Sequence, residues 1–162
     1  MQQQSLIVSS RDVRPLQVLG AEVRFLCDET RTGGAWSMME VTLPRDAGPP
    51  PHTHPWDEAY YVLEGDVLFT VGEKCFTATA GDFVYTPRLM LHGFRGASQS
   101  PARVLILDAP AHAGAFFRRI DQEVRELPRD LPKMLQIGES TGIRFAPPAS
   151  GSVRETEAAG AA

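Results

Sequence analysis

The stretch that decides the fold runs from Pro51 to Glu58 and reads Pro-His-Thr-His-Pro-Trp-Asp-Glu. His52 and His54 lie two residues apart, so in an extended strand both side chains project from the same face. Glu58 follows an even number of residues later and shares that face if the register is kept around Pro55. The stretch therefore predicts two imidazoles and one carboxylate that converge on one point.

A third histidine, His92, lies well beyond this stretch, between Thr86-Pro87-Arg88 and Gly93. If a barrel or sandwich folds this later segment over the first one, three neutral imidazoles and one carboxylate can surround a single transition-metal ion. Taken singly, each histidine could also be an ordinary surface or core residue, and a His-x-His pair alone is weak support for a metal site. The spacing of the whole set carries more weight than any one member.

This spacing resembles the two sequence motifs of the cupin family. The matching residues are His52, His54, Glu58 and Gly65 for the first motif and Gly81, Pro87 and His92 for the second. Three positions depart from the motifs: Gly48 lies closer to the first histidine, Leu89 stands in place of a glycine, and Gly96 stands in place of an asparagine. None of these departures removes a ligand, but Leu89 adds bulk close to the expected mouth of the pocket.

The resemblance implies an all-β fold, the cupin double-stranded β-helix or jelly-roll barrel, with short C-terminal helices. It also implies that His52, His54, Glu58 and His92 ligate one divalent transition metal. This ligand set accepts Fe, Mn, Co, Ni, Cu or Zn, so the identity of the metal stays open. The strand pattern predicts the same architecture independently, because short β-prone runs separated by turns continue from Ala59 to Asp108.

We divide the chain into N-terminal strands or an arm (1–34), a cupin barrel core (35–110), a C-terminal helical segment (111–149) and a flexible tail (150–162). In the helical segment, Phe116, Phe117 and Ile120 recur at helical spacing and predict a helix that packs on the barrel exterior. Asp130 is expected to cap a second helix that ends before Gly138. The tail is rich in Gly, Ala, Ser, Glu and Thr, a composition typical of disorder.

Composition limits the partners. The 162 residues include 16 basic and 20 acidic side chains, and this net charge of -4 argues against nucleic acid or an anionic membrane. No secretory signal is visible, which predicts a cytoplasmic location. Cys27 and Cys75 match no CxxC spacing and are expected to be reduced. Because small cupins often form dimers, we also expect a homodimer, with Leu6-Ile7-Val8 as a candidate arm.

The runs Asp57–Gly65 and Leu131–Leu135 resemble the small bacterial quercetin 2,3-dioxygenase-like monocupins. That resemblance implies an enzyme that cleaves a flavonol or another enolisable phenolic substrate with O2. Glu58 would then be both a ligand and the general base, because a carboxylate in an apolar barrel has a raised pKa. Two alternatives stay open: a non-redox cyclase or isomerase of a polyketide-like biosynthetic intermediate, and a small-molecule-binding protein without turnover.

A substrate of this kind needs an aromatic and apolar pocket beside the metal. The sequence offers six candidates for its lining, although each could also be a plain core residue: Met38, Trp56, Tyr60, Phe83, Tyr85 and Leu89.

Overall fold

Two antiparallel β-sheets pack against each other in the computed structural model, which describes residues 5–147. The strands in chain order are β1 (Leu16–Val18), β2 (Ala21–Cys27), β3 (Ser37–Leu43), β4 (His52–Thr53), β5 (Asp57–Glu64), β6 (Val67–Val71), β7 (Lys74–Ala78), β8 (Phe83–Thr86), β9 (His92–Gly96), β10 (Ala102–Ala109) and β11 (Arg144–Phe145). One sheet has the order β1-β2-β3-β10-β5-β8 and the other β11-β4-β9-β6-β7. The predicted all-β fold with short C-terminal helices is confirmed.

The core lies between the sheets because strand residues alternate between an inner and an outer face. Along β10 every second residue is buried, and along β5 the buried residues include Glu58, Tyr60 and Val62. The ring of Tyr60 packs edge-on against Phe69 and Phe94 of the opposite sheet, with ring centroids 5.0 and 5.1 Å apart. Glu58 therefore points into the barrel, on the same face of β5 as Tyr60.

Strand β9 was missed by the sequence analysis, although it carries His92 and lies in the middle of its sheet. Its two glycines lower the β-propensity of the segment. Both are needed where other backbone passes close by: a Cβ on Gly96 would lie 2.4 Å from the Pro44 carbonyl oxygen, and one on Gly93 would lie 3.1 Å from the Pro51 nitrogen. Tertiary contacts therefore place these glycines in a strand that local propensity does not favour.

Three α-helices and a 3-10 turn (Ser10–Asp12) complete the described chain: α1 (Glu29–Thr32), α2 (Gly114–Glu123) and α3 (Leu131–Thr141). The prediction that α3 ends before Gly138 is wrong, because the helix continues to Thr141 and ends at Gly142, where φ is +87°. The side chain of Asp130 does not cap α3, since its Oδ2 accepts from the backbone N–H of Arg125 and Glu126. Among residues 5–147, no helix is long and apolar enough to cross a membrane.

The C-terminal segment closes one end of the barrel. Helices α2 and α3 bury Phe116, Ile120, Met134 and Ile137, and they pack on each other. Strand β11 then pairs with β4, with Phe145 opposite His52. The described part of the predicted segment 111–149, which ends at residue 147, thus lies against the strand that carries His52. We call α2, Ile143 and β11 the cover. The predicted tail, 150–162, lies outside the described residues.

Because the helices share one core with the barrel, a cavity in α3 should destabilise the whole protein. Ile137 is completely buried, whereas Leu135 on the same helix is 44% exposed. Ile137→Ala should lower the free energy of unfolding by about 2–5 kcal/mol, and Leu135→Ala by less than about 1 kcal/mol. Urea denaturation measures both. Equal and small losses for the two variants would show instead that α3 is not part of the cooperative core.

Candidate metal centre

Three strands from the two sheets bring the predicted ligands together. His52 on β4 lies directly opposite His92 on β9 in the five-stranded sheet. His54 follows β4, and Glu58 comes from β5 in the other sheet. All four side chains are buried, and one ligand atom from each lies within 4.8 Å of the others. The group is therefore compact enough to hold one metal ion.

Backbone carbonyls fix the orientation of all three imidazoles. The Nδ1 atoms of His52, His54 and His92 lie 2.9, 3.0 and 2.9 Å from the carbonyl oxygens of Pro50, Trp56 and Met90, respectively. A carbonyl oxygen only accepts, so each Nδ1 carries the proton and donates. Each Nε2 is then left with a lone pair. An acceptor that holds the other ring nitrogen in this way is the usual support for a metal-binding histidine.

The carboxylate of Glu58 completes a set of electron-pair donors. Its Oε2 lies 3.0 Å from His54 Nε2 and 3.1 Å from His92 Nε2, and the hydroxyl of Tyr60 donates to it at 2.5 Å. With the tautomers set by the carbonyls, these Nε2 atoms have no proton to give the carboxylate. Lone pairs would face lone pairs, an arrangement that a divalent cation relieves. The residues present therefore fit a transition metal with nitrogen and oxygen ligands.

Burial controls the protonation of the site. It lowers the pKa of His52 from 6.5 to about 3, with help from neighbouring His92, so this imidazole stays neutral. Burial alone would raise the pKa of Glu58. In the metal-free protein, where His54 and His92 can each take up a second proton on Nε2, their hydrogen bonds and positive charge outweigh burial and hold the pKa of Glu58 well below its ordinary value. The predicted raised pKa of Glu58 is therefore wrong. Glu58 is a firm anionic ligand and a weak base because its neighbours stabilise the charged form.

Tyr60 remains a hydrogen-bond donor to this carboxylate. Burial, and then the charge of Glu58, raise the pKa of the Tyr60 hydroxyl well above its ordinary value. The phenol therefore keeps its proton and orients one oxygen of Glu58. Of the predicted pocket residues, Tyr60 thus acts on a ligand rather than on the wall of the cavity.

A small cavity of about 30 Å³ adjoins the ligands. Its polar lining consists of His52, His54, Glu58 and Trp56, and the remainder is apolar: Pro49, Phe94, Ala113, Phe116, Phe117, Ile143 and Phe145. This volume accommodates an ion and a water molecule, whereas sites for drug-sized ligands usually measure about 300–1,000 Å³. Five of the apolar residues belong to the C-terminal segment that includes the cover. A substrate larger than a few atoms therefore requires the cover to move.

The structure places the six predicted pocket residues differently. Trp56 lines the cavity, and Tyr60 is buried beside Glu58. Met38 lies on the opposite face of β3 from the buried Met39. The remaining three are outside the cavity, with exposed fractions of 65% for Phe83, 54% for Tyr85 and 68% for Leu89.

The alternation of side chains along β8 explains the outward positions of Phe83 and Tyr85. On β8 the buried residues are Val84 and Thr86, so Phe83 and Tyr85 necessarily face outward. Leu89 lies in the turn that follows, where its φ is +65°, and its backbone N–H donates to the His54 carbonyl oxygen. The aromatic wall comes instead from Phe116, Phe117 and Phe145, which the sequence analysis did not assign to the pocket. In the sequence, the helical spacing of Phe116 and Phe117 indicated only that these two residues pack on the barrel.

Comparisons with known proteins agree with this geometry. The cupin domain family model, Cupin_2, matches residues 39–108, which include all four ligands. A polyketide synthase, CurC of Streptomyces cyaneus, is 22% identical over 138 residues, which cover 84% of this chain and 90% of CurC.

Solved structures show the same fold. The polyketide cyclase RemF from Streptomyces resistomycificus has a TM-score of 0.60 at 23% identity, with 65% of this chain and 80% of RemF covered. A predicted oxalate decarboxylase from Thermotoga maritima has a TM-score of 0.59 at 21% identity, with 65% of this chain and 99% of that protein covered. The protein thus has the fold of these solved structures, which is the predicted cupin fold, and its three histidines and one glutamate form a group that could hold a metal ion.

Removal of one ligand should abolish tight metal binding. His54→Ala deletes one of the three Nε2 donors. Its effect should exceed the roughly 10–100-fold loss of metal affinity that follows when only a residue that orients a ligand is changed. His112→Ala is the matched control, because His112 is the fourth histidine of the chain and lies outside the ligand group. Calorimetric titration with Zn²⁺ measures both variants. Similar affinities for the two would contradict the assigned centre.

Acid should destabilise the metal-free protein through His52. The pKa of this imidazole is about 3 in the folded protein and 6.5 as its ordinary value. Between these values the unfolded chain binds more protons, so stability falls as the pH falls. From pH 7 to pH 5 the loss from this group should be about 2 kcal/mol. Urea denaturation after chelator treatment measures it, and His52→Gln should remove most of the loss; an unchanged pH dependence in that variant would refute the assignment.

Proposed function

We propose that this cupin is a metal-dependent enzyme that cyclises or isomerises a polyketide-like substrate without consuming O2. The observation that carries the proposal is the convergence of three imidazoles and one carboxylate within 4.8 Å of one another, beside a cavity with mostly apolar walls. The likeness to a polyketide synthase and to a polyketide cyclase supports this class of substrate. The small-molecule partner is part of the proposal, while the homodimer and the cytoplasmic location stay predictions.

The four ligands, His52, His54, Glu58 and His92, would hold the metal. When bound there, a divalent metal would supply Lewis acidity toward a substrate oxygen, and a redox-active one would also permit chemistry with O2. The protein contributes a preorganised ligand set, because carbonyls fix the imidazoles and Tyr60 fixes the carboxylate. No reorganisation is then needed when charge develops on the substrate.

The cover supplies the second contribution, which is exclusion of water. Phe116, Phe117 and Phe145 form an apolar part of the cavity wall. A folded polyketide chain carries several reactive carbonyl groups, and a dry cavity limits their side reactions. Flat aromatic walls also suit the flat rings that such a cyclisation produces. The cover therefore favours ring closure of a bulky apolar chain over hydrolysis.

The dioxygenase predicted from the sequence is the second candidate. The same ligand set supports it, since three histidines and one carboxylate also suit Fe, Mn, Co, Ni or Cu. One observation weighs against the predicted role of Glu58 as the general base of a dioxygenase. Glu58 has a lowered pKa and three close partners, so it is a poor general base. A binding protein without turnover is less favoured, because an apolar ligand gains nothing from a buried carboxylate that is costly to desolvate.

Dependence on O2 separates these functions. The metal-loaded protein should convert a linear poly-β-ketone to a cyclic product at the same rate in air and under anaerobic conditions. The product should be an isomer of the substrate or its dehydration product, as measured by mass spectrometry. Cleavage of a flavonol that gains two oxygen atoms and stops without O2 would establish the dioxygenase instead. Recovery of every tested ligand unchanged would favour the binding protein.

Glu58→Gln tests the role of the carboxylate in this experiment, and Glu64→Gln is its control. It removes the negative charge while keeping the size and one oxygen of the side chain. Turnover should fall at least about 100-fold, as expected when a group that preorganises charge at the reacting centre is lost. Glu64→Gln, at an exposed position on the same strand, should leave turnover unchanged.

A further inference from the structure

The indole N–H of Trp56 is a buried hydrogen-bond donor without a partner. Trp56 is only 1% exposed, and within residues 5–147 its Nε1 contacts no acceptor. Buried polar groups in folded proteins nearly always have a partner, so an unpaired donor calls for an explanation. Two other buried side-chain atoms share this condition, Glu29 Oε2 and Thr86 Oγ1, but neither residue lines the cavity beside the metal centre.

Trp56 stands next to the metal ligands. Its indole stacks on the imidazole of His54, with ring centroids 4.2 Å apart and planes within 3° of parallel. Its backbone carbonyl also accepts from His54 Nδ1 at 3.0 Å. The indole is thus stacked directly on the proposed metal ligand His54. It lines the same cavity as His52, His54 and Glu58.

The other polar groups around this cavity are already engaged. The imidazole Nδ1 atoms of His52 and His54 bond to backbone carbonyls, and the carboxylate of Glu58 accepts from Tyr60. The Nε2 atoms face one another as electron-pair donors. All remaining side chains of the lining are apolar. Among the lining side chains, the indole N–H is the one hydrogen-bond donor left for a ligand.

We propose that the Trp56 N–H is a substrate-binding group that donates to an oxygen of the ligand held at the metal centre. The inference rests on the proposed function and names the substrate chemistry more closely. An indole N–H donates only, so the ligand atom must be an acceptor, and an anionic oxygen accepts more strongly than a neutral one. Enolates, phenolates and β-dicarbonyl compounds meet this requirement, whereas amines do not.

Two small probes of matched size test this role. Acetohydroxamate binds metals through oxygen and keeps lone pairs that can accept from the indole. Imidazole has the same number of non-hydrogen atoms but binds through nitrogen and then has only a donor to offer. Both ask less movement of the cover than a polyketide would. Their affinities for the zinc-loaded full-length protein are measured by calorimetric titration.

Trp56→Phe is the variant, because a phenyl ring keeps an aromatic stack on His54 and removes only the N–H and part of the indole. Its affinity for acetohydroxamate should fall about tenfold, the size of one good hydrogen bond. Its affinity for imidazole should change less than about twofold, because no hydrogen bond is lost. The zinc content should equal that of the wild type, which separates the indole from the ligand set. Equal affinities of the variant and the wild type for acetohydroxamate would overturn the proposal.

Nuclear magnetic resonance reads the same contact in the unaltered protein. The chain has two tryptophans, so the zinc-loaded protein should give two indole N–H signals, and Trp36→Phe identifies that of Trp56. Acetohydroxamate should move the Trp56 signal downfield, whereas imidazole should leave it nearly in place. A Trp56 signal that acetohydroxamate does not move would overturn the proposal even if Trp56→Phe failed to fold.

The outcomes also separate this inference from the metal centre on which it rests. If the wild type takes up no zinc, the metal centre fails and the role of Trp56 falls with it. If the zinc-loaded wild type binds neither probe, the metal centre stands and the role of Trp56 is overturned. If the wild type binds both probes and Trp56→Phe binds them equally well, the metal centre stands and only the role of Trp56 is overturned. In that case the indole N–H is satisfied by a water molecule rather than by a ligand.

Discussion

The central feature of the structure is a buried group of electron-pair donors that lie close together. The neutral side chains of the group have no protons to place between these donors. Three imidazole Nε2 atoms and the carboxylate of Glu58 lie within 4.8 Å of one another in a buried cavity. Among these groups, only Tyr60 supplies a firm proton donor to the carboxylate. Burying an anion without a counter-charge costs several kcal/mol in proteins. A bound cation would turn this unfavourable arrangement into a stable one, and the three imidazoles that backbone carbonyls hold through Nδ1 leave their Nε2 lone pairs free to bind it.

The centre exists only because two sheets pack together. The strands of His52 and His92 are neighbours in one sheet, whereas Glu58 comes from the other. The aromatic contacts of Tyr60 with Phe69 and Phe94 join these sheets directly beneath the carboxylate. The same side chain therefore serves packing through its ring and the metal centre through its hydroxyl. Core stability and ligand geometry are coupled at this one residue.

Sequence reasoning reached the ligands because their pattern is local or carried by a resemblance. His52, His54 and Glu58 follow from strand periodicity within one short stretch, and His92 followed from the match to a motif. It failed where the outcome depends on tertiary structure. The outward position of Phe83 and Tyr85 depends on the parity of β8, and the lowered pKa of Glu58 depends on contacts with residues from another sheet. The glycines of β9 concealed a central strand for the same reason.

The C-terminal segment supplies most of the apolar wall of the cavity beside the ligands. Phe116, Phe117 and Phe145 line the space of about 30 Å³ beside the ligands. Bulky substrates thus require motion of a segment that is itself anchored on the ligand strand through β11. Substrate size and the mobility of the cover are linked in this protein.

The most direct test of the account is a crystal structure of the zinc-loaded protein with anomalous diffraction data collected on both sides of the zinc edge. The account predicts one strong anomalous peak enclosed by His52 Nε2, His54 Nε2, His92 Nε2 and a carboxylate oxygen of Glu58. A zinc peak at any other place, or no peak in a crystal grown with zinc, would contradict it.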